Sequence, residues 1–148
     1  MARKDETQEQ ILVAQYLVEN YPSIQFHSDY GSGARLRPHQ AKEQARLNAG
    51  RKSWPDIFIA EPRIHRLPKE GIMGCDYYEH GLFIEMKRKG TKIFTKKGAL
   101  VADEHIREQF DQLETLRLRG YRAEFACGFE EAKAIIDDYL GGQRLGNR

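Results

Sequence analysis

Between Leu82 and Lys87 the chain reads LFIEMK, and its first residues have the pattern of a buried strand that should run on through Met86. Side chains alternate faces along a strand, so Leu82, Ile84 and Met86 share one side and Phe83, Glu85 and Lys87 the other. Two charges therefore interrupt a segment that otherwise belongs in a core. A buried carboxylate or ammonium is costly unless it is paired or bound to a metal. Any fold for this chain must bury this strand and give Glu85 and Lys87 something to do.

The surrounding pattern supplies the layers. Asp5 or Thr7 can cap a first helix that ends near Asn20 ahead of Pro22, and residues 11–18 are apolar except Gln15, so most sides of it are expected to be covered. SIQFH at 23–27 reads as a short strand, and DYGSGARLR at 29–37 as a Gly-rich loop. Pro38 suits the first turn of a polar surface helix, with Gly50 as its stop. DIFIA at 56–60 is a second strand, and the segment 61–81, with two prolines and three glycines, is read as an extended hairpin connection to 82–87. Residues 90–104 form a basic loop. A helix follows from about Asp103 to Arg119, closed by Gly120, with Ile106, Phe110, Leu113 and Leu116 on one face and Gln109 among them. YRAEFAC at 121–127 alternates like a half-buried strand, FEEAKAIIDDYL at 129–140 is an amphipathic helix, and GGQRLGNR is expected to be a flexible tail. No internal repeat is visible. The order α, β, (α), β, β, α, β, α implies an α/β domain with a mixed sheet flanked by helices.

The 148 residues fit a single domain with its own core. No apolar run approaches the ~20 residues of a membrane span, and the polar start MARKDETQEQ lacks the apolar stretch of a signal peptide. A cytoplasmic protein without a membrane partner is the expectation, with Cys75 and Cys127 as reduced thiols. The net charge of +2 says little about partners, but its distribution says more. Arg35, Arg37, Lys42, Arg46, Arg51 and Lys52 stand against the single acid Glu43, and Lys87, Arg88, Lys89, Lys92, Lys96 and Lys97 against none. Two basic blocks in a near-neutral chain suggest a positive face, although solvated loops would read the same way.

If 56–60 and 82–87 form an antiparallel pair, the start of the first lies beside the end of the second. Asp56 then meets Glu85 and Met86, and Lys87 lies on the Glu85 face roughly 7 Å away between Cα atoms. Converging carboxylates suit a hard cation such as Mg²⁺, which activates water and neutralises charge growing on a phosphate. Lys87 can position that water, accept its proton or stabilise the charged transition state.

This pattern resembles the PD-(D/E)xK nuclease superfamily at Pro55-Asp56 and Glu85-Met86-Lys87. GRKSWPDIFIA, GLFIEMKRKG, EQFDQLETLRLRGYRAEF and FEEAKAIIDDYL together resemble its VRR-NUC branch, over residues 5–140. The resemblance implies a restriction-endonuclease-like αβββαβ core and a Mg²⁺- or Mn²⁺-dependent DNA endonuclease with no organic cofactor. It implies Asp56 and Glu85 as metal carboxylates, the Met86 carbonyl as a further ligand, Lys87 and Gln109 as catalytic residues, and Glu9, near Glu6, as the matching first-helix acid. Small stand-alone members of the branch resemble structure-selective enzymes that act as homodimers on branched DNA such as Holliday junctions, and a phage origin fits such a member. Arg35, Arg37, Arg51, Lys52, Arg88, Lys89, Lys92, Lys96 and Lys97 would then meet the DNA backbone. The long 61–81 connection and the basic 90–104 loop depart from the branch and put the groove's shape in question, not the triad. A non-catalytic DNA-binding or assembly module on the same fold, and a site-specific restriction-like cutter, are the alternatives. His65, Cys75 and His80 fit no common zinc spacing and read as loop residues. Gly31 and Gly33 read as a turn rather than a phosphate cradle, and Trp54 and Tyr30 as packing residues rather than base-stacking platforms.

Overall fold

A computed structural model describes residues 2–29, 36–65 and 77–141. Arg35, Tyr30, Gly31, Gly33, Cys75 and the 142–148 tail lie outside these residues. The elements are α1 (Ala2–Asn20), β1 (Phe26–Ser28), α2 (Pro38–Leu47), β2 (Ile57–Ile59), β3 (Arg63–His65), β4 (Tyr77–Glu79), β5 (Leu82–Lys87), α3 (Glu104–Leu118), β6 (Arg122–Cys127) and α4 (Phe129–Gly141). A four-stranded sheet runs β1-β2-β5-β6, and β3 pairs with β4 in a separate two-stranded ribbon. β1 and β2 are antiparallel, as are β2 and β5, whereas β5 and β6 are parallel and joined through α3. The sheet is therefore mixed. Its order with α1 and α3 is αβββαβ, with α2 and the β3–β4 ribbon inserted on either side of β2.

Strand alternation divides the core in two. Ile57, Ile59, Leu82, Ile84, Met86 and Ala126 face one way, onto Val13 and Leu17 of α1 and Ala132, Ile136, Tyr139 and Leu140 of α4. Phe83 and Ala123 face the other way, onto Leu113 and Leu116 of α3, with Phe58, Tyr121 and Phe125 around them. Each fully buried Leu or Ile contributes about 1.5–3 kcal/mol. That double cover is why β5 is apolar at consecutive positions, and it puts Glu85 and Lys87 under α3.

Local chemistry sets the ends. The Asp103 carboxylate accepts the Ile106 N–H at 3.0 Å and caps α3. Gly120 closes that helix at φ +89, and a Cβ there would lie 2.7 Å from the His80 ring. The buried Arg63 donates from Nε to the Tyr139 carbonyl at 2.9 Å and from Nη2 to the Leu140 carbonyl at 3.1 Å, tying the ribbon to the end of α4.

Four sequence expectations need correction. The first strand begins at Phe26, not Ser23, because Pro22 and Ser23 turn the chain after α1 and Ile24 N–H bonds the Tyr21 carbonyl. α1 begins at Ala2, ahead of both expected caps, through residues that favour helix. Ile11, Leu12 and Val18 are exposed rather than covered, since α1 turns Val13 and Leu17 onto the sheet and α4 and leaves its other sides outward among the described residues. β6 is covered on both faces: Ala126 is fully buried on the far side, where Arg122 pairs with Glu124 and with Asp138 of α4. α2 lies at the surface as expected, with no buried residue. Among the described residues no helix is long and apolar enough to cross a membrane.

Candidate active site

Ile57 stands opposite Ile84 in the β2–β5 register. One step further along this antiparallel pair sets Asp56 opposite Glu85, at the point where β2 has not begun and β5 has not ended. Asp56 Oδ2 accepts the Met86 N–H at 2.8 Å, which fixes the carboxyl against the strand. A strand residue sends its N–H and C=O toward the same edge, so the Met86 carbonyl faces Asp56 too.

Glu85 lies under α3. Lys87 Nζ sits 3.2 Å from Glu85 Oε1, and Gln109 Nε2 donates to that same oxygen. The four side chains are nearly enclosed, with relative exposures of 5% for Asp56, 4% for Glu85, 8% for Lys87 and 2% for Gln109. Gln109 is thus the polar member of an otherwise apolar helix face because its amide meets Glu85. Its Oε1 is buried with no hydrogen-bond partner among the described residues.

Burial dominates the electrostatics. It pushes Asp56 up to about 6, against the pull of the Met86 N–H and the Lys87 charge. It pushes Glu85 up to about 8, helped by the negative charge of Asp56 and opposed by Lys87. Two enclosed carboxyls in each other's field hold protons more tightly than ordinary acids, and a cation between them would remove the reason.

The donor set fits a hard divalent cation. Among the described residues, hydrogen bonds engage Asp56 Oδ2 and Glu85 Oε1, and Oδ1, Oε2 and the Met86 carbonyl are the further oxygens this edge offers. Among the described residues no group of three or more His, Cys, Asp or Glu is arranged to hold a metal. A cation here would keep part of its water shell, as Mg²⁺ commonly does.

The first helix supplies something other than the sequence suggested. Glu9 Oε2 accepts the Phe129 N–H at 2.6 Å and caps the start of α4, so that carboxylate is engaged away from Asp56. Glu6 is the α1 acid whose charge bears on both Asp56 and Glu85. One residue was missed altogether: the Gln10 amide donates to Ser28 Oγ at 2.8 Å and to the Asp29 carbonyl at 2.6 Å, and reaches the Asp56 carbonyl at 3.5 Å. It anchors α1 and β1 to the start of β2. Its i, i+4 spacing from Glu6 was the available signal.

Arg37, Arg51, Lys52, Arg88, Lys89, Lys92, Lys96 and Lys97 are all exposed. Arg88 and Lys89 directly follow β5. The 90–104 segment is an ordered hairpin-like loop, with Phe94 bridged to Leu100 and Val101 N–H bonded to the Ile93 carbonyl. His80 is exposed and edge-on to Tyr121 at 5.6 Å, consistent with a loop residue rather than a ligand.

Neither a protein-family model nor a curated protein sequence matches this chain. Among solved structures, one described as a VRR_NUC domain protein superposes with a TM-score of 0.57 and 23% identity, over 93% of this chain and 88% of that one. This chain has the mixed α/β fold of that VRR_NUC domain protein.

Proposed function

We propose that this protein is a metal-dependent DNA endonuclease. The observation that carries the reading is the meeting of Asp56 and Glu85 at one sheet edge, enclosed, each with one carboxylate oxygen left over, beside Lys87 and Gln109. Asp56, Glu85 and the Met86 carbonyl would hold Mg²⁺ or Mn²⁺, with Glu6 in place of Glu9 as the nearby first-helix acid. When bound, the cation supplies an acidified water and neutralises charge on a phosphate.

The chain's own residues do the rest. Lys87 favours the ionised form of Glu85 and presents an ammonium where a phosphodiester gains negative charge in the transition state. Gln109 holds Glu85 Oε1 from above and so keeps Oε2 turned to the site. Gln10 and the Met86 N–H fix Asp56 through its backbone and its carboxyl. The basic residues after β5 and around α2 attract the phosphate backbone without reading bases. Contacts to the backbone alone select DNA by its shape, and branched DNA such as a junction is the substrate class this reading assigns. The exposed Ile11 and Val18, seven residues apart on one side of α1, support a homodimer.

Cleavage of labelled junction, flap, splayed and linear DNA in Mg²⁺ tests this. Branched substrates are expected to be cut, and Asp56→Ala or Lys87→Ala protein to lose at least 100-fold, of the order a single electrostatic group contributes. DNA binding with no hydrolysis of any substrate in Mg²⁺ or Mn²⁺ would identify a binding module instead. Light scattering on the eluted protein reads the dimer separately.

A further inference from the structure

Trp54, the chain's only tryptophan, lies two residues before Asp56. A packing residue would be covered, yet Trp54 is 58% exposed. Its ring meets Phe83 edge-to-face at 5.2 Å and 83°. Phe83 in turn stacks on Phe58 at 4.4 Å and is itself buried. One side of the indole is therefore anchored on the core and the remainder faces solvent. The anchor is also specific: Phe83 shares its sheet face with Glu85 and Lys87, so the indole stands on the face that carries the chemistry.

The backbone holds the ring in place. Ser53 is buried at φ +64, a left-handed conformation that a non-glycine residue adopts only when its surroundings demand it. Pro55 follows and is also buried. An exposed aromatic held between these two residues loses little freedom when it meets a flat ligand. Arg51 and Lys52 immediately precede it and are exposed, so a flat group beside a phosphate is the ligand this corner suits.

We propose that Trp54 is the platform on which an unpaired base stacks beside the scissile phosphate. The inference rests on the nuclease reading and narrows its substrate class to DNA that has, or readily yields, an unpaired nucleotide at the cut. In a fully paired duplex both faces of every internal base are already stacked on neighbours, and none can cover the indole without being pulled out. Stacking is tolerant of base identity, which suits a protein that reads phosphate and shape.

A single tryptophan makes the test direct. Intrinsic fluorescence is followed as oligothymidylate, a splayed-arm duplex and a blunt duplex are added in Ca²⁺, which takes the same oxygen donors while hydrolysis is held off. Labelled-DNA anisotropy on the same samples reports binding. Oligothymidylate and the splayed arm are expected to quench the signal and the blunt duplex to leave it nearly unchanged. Trp54→Ala should bind the splayed arm roughly 5- to 100-fold more weakly, as loss of one stacked base implies. Its affinity for the blunt duplex should hold, and Trp54→Phe should restore most of the difference. Binding by anisotropy without quenching overturns the role of Trp54 and leaves the nuclease reading standing. So does an equal loss for both DNAs. Absence of binding to any DNA overturns both. Should Trp54→Ala fail to fold, the wild-type quenching decides alone.

Discussion

Asp56→Asn should abolish cleavage and make the metal-free protein more stable, and the size of that gain follows from the site. Asp56 titrates at about 6 in the fold against an ordinary 3.8, chiefly because it is enclosed. The folded state thus binds this proton more tightly than the unfolded chain does. The stability it contributes is present in full below about pH 3.8 and is lost as pH rises through about 6. At ~1.36 kcal/mol per tenfold difference in proton affinity, the cost of ionising Asp56 in the fold is about 3 kcal/mol at pH 8. Asparagine has no charge to bury, and its amide oxygen can still accept the Met86 N–H. It also removes the charge that helps hold Glu85 up to about 8. With relaxation and water taking part of the gain, roughly 1–3 kcal/mol remains, or about 3–10 °C in Tm for a domain of this size. Thermal melts in EDTA between pH 4 and 9 read it directly. The variant should melt with wild type near pH 4 and above it at pH 8. Adding Mg²⁺ should raise the wild-type Tm, more at pH 8 than at pH 6, and leave the variant nearly unmoved. A variant no more stable than wild type at pH 8 would refute the claim that an enclosed, only partly compensated carboxylate pair is held there.

Gln109→Leu removes the donor to Glu85 together with a buried acceptor that has no partner, so cleavage should fall about 10- to 100-fold while urea stability stays within about 1 kcal/mol; unaltered cleavage would show the helix contact to be packing alone. Gly81→Ala should cost about 2 kcal/mol or more in urea unfolding, because a Cβ there lies 2.7 Å from Phe58 Cε2 and 2.8 Å from the Ile59 carbonyl of the neighbouring strand; an unchanged midpoint would mean the strands part more easily than their packing suggests. Replacing Lys92, Lys96 and Lys97 together by Ala should lower the slope of log binding constant against log salt by about 2–3, with the cleavage rate at saturating DNA retained; an unaltered slope would place the DNA away from this loop.

The strand end at Glu85 was legible because it broke a rule. Periodicity placed β5, and the antiparallel connection from β2 then fixed which residue must face Asp56. Gln109 was legible for the same reason, as a polar residue in an apolar row. The α1 acid was not. Glu6 and Glu9 sit on a helix whose residues 11–18 are almost uniformly apolar, so the pattern does not say which side meets the sheet. Docking settles it: Val13 and Leu17 enter the core, Gln10 follows them toward Asp56, and Glu9 is turned onto the start of α4. Trp54 escaped for a related reason. An aromatic beside a strand is usually covered, and only the left-handed Ser53 and the already occupied Phe83 leave it outside.

The two halves of β5 are mutually dependent. Met86 buries its side chain in the α1–α4 core while its N–H holds Asp56. Ile84 does the same core work one turn of the pleat earlier. On the other face, Phe83 closes the α3 core immediately before Glu85 leaves it. The apolar residues fix the strand's position from both sides, so the carboxylate and the ammonium between them cannot swing away to solvent. Ordinarily that would select against them, because enclosed charges prefer water. Here the remaining freedom is further reduced by Gln109, which bonds the same Glu85 oxygen that Lys87 approaches. Enclosure raises the proton affinity of both acids, and the same enclosure would raise their affinity for a divalent cation. A strand built this way gives up some stability to hold the two acids in place, so, on the nuclease reading, Glu85→Gln should weaken metal-dependent cutting far more than it weakens folding.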